Sequence, residues 1–142
     1  MYKLILLSAL SLFTTLLTAC NEQANNSKGN SNSDNIVWTN EQLAKNIALQ
    51  PIASDGDESK FYIRLQGSEQ PHYHDDHDLT VEILTGTAVI HFKESSQSVK
   101  AGDTIVIKKG TYHWAENTGA EASVVIGTFT PKLQGKDFRL AE

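Results

Sequence analysis

The sequence is poor in cysteine, in basic charge and in long apolar runs, and each shortage removes a class of protein. One cysteine, Cys20, stands among 142 residues. That excludes an intrachain disulfide framework and any multi-cysteine zinc site. Lys and Arg number 12 against 17 Asp and Glu, a formal net charge of −5, and the lysines are scattered. The basic footprint of a nucleic-acid binder is missing. The apolar stretch from Leu4 to Leu17 carries no charge but is short for a membrane span of about 20 residues. Residues 21–35 contain no Val, Ile, Leu or aromatic side chain. No Gly-rich phosphate loop, nucleophile elbow or internal helical repeat occurs. A folded domain is therefore confined to residues 36–142, enough for one modest core.

The N-terminus reads as an address. Lys3 precedes the apolar stretch, which has the length of a signal-peptide core. Leu17-Thr18-Ala19-Cys20 follows and resembles the lipobox of bacterial lipoproteins. The resemblance implies that residues 1–19 are a cleaved signal peptide and that Cys20 is lipidated. Several acyl chains on one residue exceed the one-chain threshold for stable anchoring, at about 0.8 kcal/mol per buried methylene, so the implied partner is a lipid bilayer. Residues 20–35 read as the lipidated Cys and a disordered Asn/Ser tether, too polar to offset its ordering entropy. Its reach is roughly 20 Å by the square-root rule. In bacterial lipoproteins an Asp directly after the Cys often retains the protein in the inner membrane. Asn21 stands there, so the resemblance favours an outer-membrane anchor facing the periplasm in a Gram-negative host.

The remainder reads as strands. Thr39 with Gln42 three residues on is a capping-box pattern. With Leu43 and Ile47 on one face and Gln50-Pro51 as terminator, it predicts one short helix of about three turns. Beyond it the period is two. Phe61, Ile63 and Leu65 alternate with Tyr62, Arg64 and Gln66. Leu79, Val81 and Ile83 alternate with polar residues, Thr85 falling out of step by one. Gly67, Gly86, Gly102, Gly110, Gly119 and Gly127 punctuate these runs. Many short strands at near-regular spacing predict an all-β sandwich or barrel.

All five histidines lie between residues 72 and 113. On a strand, residues i and i+2 share a face, so His72 and His74 can present two imidazoles to one point. The run Gly102…Gly110-Thr111-Tyr112-His113…Asn117 resembles the second motif of the cupin superfamily. Gly102, Gly110, His113 and Asn117 fall at its spacing, and Lys108 stands where Pro is usual. The first cupin motif is matched by Gly67, His72, His74 and Gly86, with a short gap, Thr87 to Ala101, between the two. The resemblance covers about Phe61 to Phe129. It implies a small single-domain cupin-type double-stranded β-helix (jelly-roll) barrel, with one short N-terminal helix ahead of it.

That resemblance carries metal ligation onto His72, His74 and His113. The family's ligand Glu would fall at Leu79, which cannot bind metal. By parity Leu79, Val81 and Ile83 line the barrel interior. His77 shares their parity and is the candidate fourth ligand, with Asp78 the alternative if a bulge turns it inward. Asn117 is expected to shape its turn, while His91 and Trp114 are read as lying outside the pocket. A site of imidazoles suits one divalent transition metal, whether Zn, Fe, Cu, Ni or Mn. Open coordination positions would serve an oxygenase, isomerase or lyase acting on a small organic substrate. They would equally serve capture of a metal or small ligand without turnover. Small cupins often dimerise through barrel edges, so a homodimer is the family-level expectation.

Overall fold

The structure is a computed structural model that describes residues 35–54 and 56–142. The expected leader, Cys20 and the tether to residue 34 lie outside the described residues. Helix α1 (Asn40–Leu43) is followed by strands β1 (Ile47–Ile52), β2 (Ser59–Leu65), β3 (His72–Tyr73), β4 (Asp78–Thr85) and β5 (Thr87–Phe92). Then come β6 (Ser96–Lys100), β7 (Thr104–Ile107), β8 (His113–Asn117), β9 (Ser123–Thr130) and β10 (Arg139–Leu140). One sheet runs in the order β1-β2-β9-β4-β7 and the other β10-β3-β8-β5-β6. Every pairing is antiparallel. From β2 onward each strand passes to the opposite sheet, the β5–β6 hairpin excepted. This is the jelly-roll barrel that the motifs imply.

The helix is shorter than its pattern suggests. Thr39 caps it, with the full capping box to Gln42, but it ends after one turn. Ile47, read as the helix's second apolar position, opens β1 instead, and Ile47 pairs with Leu65 and Leu49 with Ile63. A ladder of six residue pairs with β2 outweighs a lone Leu–Ile contact on an isolated turn, because so short a helix is marginal without tertiary packing. Pro51 fits there because β1 is an edge strand.

The core takes Leu79 and Ile83 from β4, Ala88 and Ile90 from β5, Val99 from β6, Ile105 and Ile107 from β7, and Phe129 from β9. Burial of each large member is worth about 1.5–3 kcal/mol. The lost step near Thr85 is a register shift between Ile83 and Thr85 where β4 pairs with β9. Directly after it, Gly86 alone carries the chain from one sheet to the other at φ +86°. A Cβ there would lie 2.8 Å from Ser123 Cα and in the left-handed region, so the corner accepts only glycine.

Candidate metal centre

Three strand ends meet at one mouth of the barrel. β3 supplies His72, the chain just after it supplies His74, and β8 supplies His113, which is paired directly with His72. The three are 2%, 8% and 2% exposed. Each offers one ring nitrogen, and these atoms lie within 4.8 Å of one another.

Each Nδ1 is held by a backbone carbonyl. His72 Nδ1 donates to Gln70 O at 2.8 Å, His113 Nδ1 to Thr111 O at 2.9 Å, and His74 Nδ1 to Asp137 O. A carbonyl only accepts, so Nδ1 carries the proton in all three rings and Nε2 is left as the free nitrogen. Burial then works against a proton on Nε2. It lowers the pKa of His72 and of His74, although the carbonyl bonds to Gln70 and Asp137 oppose it. In His113 burial, reinforced by His72 and His74 and opposed by the Thr111 carbonyl, pushes the pKa down to about 4. Three neutral imidazoles of fixed tautomer, aimed at one point, are the donor set that a transition metal requires.

The other candidates lie elsewhere. His77 has the inward parity and is buried, but its Nδ1 bonds Asp137 Oδ2 at 2.6 Å and it is not in the cluster. It supports the site rather than forming it. Asp78 faces out, because the β4 irregularity comes later, at Ile83/Thr85. Its carboxylate accepts from Lys108 Nζ at 2.8 Å and Lys109 N at 3.0 Å, so it does not face the histidines. His91 stacks on Trp114 at 3.8 Å outside the barrel. Asn117 Nδ2 donates to the carbonyls of Gln66, Gly119 and Glu121, and its Oδ1 accepts from Ser123 Oγ at 2.7 Å, which fixes the β8–β9 turn.

Two acidic residues at this end escaped the sequence reading. Asp137 sits on the C-terminal strap ahead of β10. Its Oδ1 accepts from Asp75 N at 2.9 Å and its Oδ2 from Asp76 N at 3.2 Å and from His77, while its own carbonyl holds His74. Burial alone would raise its pKa, but the bonds from His77 and the two amides outweigh that and hold it below the usual range. Beside it Phe138 stacks on His72 with centroids 4.4 Å apart. Glu69 precedes the histidines. Burial raises its pKa, against the opposing pull of the Ala115 amide and His74. Glu69 is not in the ligand cluster, but it lines the same cavity.

That cavity has a volume of about 370 Å³ and runs from the histidines into the barrel. Leu79, Val81 and Ile83 form part of its wall, as their parity requires. Apart from the three histidines, the polar lining residues are Glu69, Ser123 and Lys136.

A two-sheet jelly roll with convergent imidazoles at its mouth defines a small β-barrel whose histidines could hold a metal ion. The chain belongs to the cupin superfamily: the Cupin domain family matches residues 61–129. An uncharacterized protein of Aquifex aeolicus (strain VF5) is 33% identical over 104 residues, which are 73% of this chain and 85% of that one. Among solved structures, an uncharacterized conserved protein with a double-stranded beta-helix domain from Klebsiella pneumoniae superposes with a TM-score of 0.62 at 23% identity. It covers 78% of this chain and 93% of its own. KdgF from Halomonas sp. gives 0.60 at 22%, with coverage of 70% and 92%.

Proposed function

We propose that the protein is a membrane-tethered cupin lipoprotein that holds one divalent transition metal on His72, His74 and His113 and binds a small organic molecule at its open positions. The observation that carries the metal reading is the fixed tautomer of three buried rings. Three protein ligands leave positions for water or ligand on a metal that accepts five or six. The bound metal would supply Lewis-acid polarisation of an oxygen donor. The cavity behind the cluster supplies an apolar bed for the rest of the molecule. Turnover is the second reading, and Glu69 favours it, because a half-buried carboxyl lining that cavity can hold or release a proton.

Elemental analysis of protein from its native compartment tests the metal. One equivalent is expected in the wild type and in His91→Ala, with loss in His72→Ala and His113→Ala. Full metal in His113→Ala ends the assignment. The tether rests on Leu17-Thr18-Ala19-Cys20. Labelled palmitate should enter the wild type and not Cys20→Ser, which should leave the membrane fraction; labelled, membrane-bound Cys20→Ser would refute it.

A further inference from the structure

We propose that Glu69 is the ligand-recognising carboxyl of the barrel cavity, selecting small organic molecules with a metal-binding oxygen head, an apolar body and a hydroxyl at the far end. This rests on the metal-centre reading above.

The argument begins with what the cavity wall can offer. Of its polar members besides the histidines, Ser123 spends its hydroxyl on Thr87 O and Asn117 Oδ1. Lys136 is on the exposed strap, over the Phe138 ring at 5.4 Å. Glu69 remains. Its backbone N–H donates to Ala115 O at 2.9 Å, and its Oε2 accepts from Ala115 N at 2.9 Å. This reciprocal pair pins the residue to β8. Among the described residues, Oε1 accepts no hydrogen bond.

A half-buried carboxyl with one oxygen unpaired by the protein still loses part of its hydration, which costs stability. If Glu69 served only to tie the loop to β8, a neutral amide acceptor would do so without that penalty. The arrangement gains a purpose when a ligand hydroxyl meets Oε1.

Position sets the length of that ligand. Ala115 lies two residues beyond His113 on the same face of β8, about 6.6 Å along a strand. A molecule bound by its head at the histidines therefore reaches Glu69 through a chain of four or five atoms. Between the two, every wall residue other than Ser123 and Lys136 is apolar, so the linking atoms should be hydrocarbon. A site built to pair a hydroxyl rejects the analogue that lacks it far more strongly than a plain apolar pocket would.

The probes are 5-hydroxypentanoate and hexanoate, which differ by a hydroxyl in place of a methyl. Both are titrated into the full chain loaded with cobalt(II), with the visible cobalt bands as readout. The wild type should bind 5-hydroxypentanoate about tenfold more tightly than hexanoate, and Glu69→Leu should reverse that order. Glu69→Gln still offers Ala115 N–H an acceptor and serves if Glu69→Leu does not fold; its preference should differ from the wild type's at least fivefold. Equal binding of the two acids, a preference that survives in the variants, or no response of the bands to either acid overturns the inference while leaving the metal centre standing. Failure to take up cobalt removes the metal reading, and this inference with it.

Discussion

At the scale of single residues, the chemistry depends on which ring nitrogen carries the proton. Three carbonyls, of Gln70, Asp137 and Thr111, settle that at His72, His74 and His113. The consequence is a shifted pH window. An ordinary imidazole, with pKa near 6.5, is mostly protonated at pH 5, and each such ligand would lose about thirtyfold in metal affinity. His113 titrates at about 4, and His72 and His74 are displaced in the same direction by burial. Protons therefore compete for these rings only at a lower pH than they would for ordinary imidazoles. Metal content measured after dialysis from pH 7.5 downward should hold through pH 6.5 and fall only at a pH clearly below that. Loss centred near pH 6.5 would show that the rings are neither buried nor fixed as described.

At the scale of elements, the site is built by parts of the chain that differ in how clearly they announce themselves. The period-two runs of β2 and β4 stand out because apolar and polar side chains alternate along them, and in β4 Leu79 and Ile83 are buried while Glu82 is exposed. Gly86 stands out because its corner tolerates no side chain. The His-x-His pair lies at the spacing that puts two rings on one face. Three features were hidden. The helix pattern ran on into β1 because Leu43 and Ile47 fit a helical spacing by chance, and only pairing with β2 decides between the two. β6 is polar except for Val99, so it has no alternation to read. The strap depends on contacts 60 to 63 residues apart in sequence, which no local pattern records. Glu69 was missed because the family motif directs attention downstream of the histidines, to Leu79. The strap carries its own prediction. Asp137 joins His77 and the Asp75 and Asp76 amides to the segment whose carbonyl orients His74. Groups that orient a ligand typically govern affinity by 10–100-fold. Asp137→Ala should weaken zinc binding about tenfold by competition with a chelator, while Asp78→Ala leaves it unchanged. Equal affinities in wild type and Asp137→Ala would reduce the strap to a cover.

At the scale of the whole molecule, the barrel is a compromise between packing and access. Residues such as Leu79, Ile83, Ile90 and Ile107 belong to the core and also line the cavity, so the open space is taken from the same interior that holds the sheets together. The metal-free fold carries a second cost. His113 is neutral when folded down to about pH 4, whereas the unfolded chain takes up protons below about 6.5. Where the unfolded state binds more protons, stability rises with pH. The apo protein thus loses stability as pH falls from about 6.5 to about 4. Metal bound only by the folded state returns stability through mass action, about 2.7 kcal/mol at a hundredfold excess over its dissociation constant. For a domain of this size each kcal/mol moves Tm by about 4–8 °C. Saturating zinc at pH 7 should therefore raise the wild-type Tm by roughly 10–20 °C in a calorimetric scan, and a chelator should reverse the rise. His113→Ala should show little of it. An equal rise in His113→Ala would place the stabilising metal somewhere other than at the mouth of the barrel.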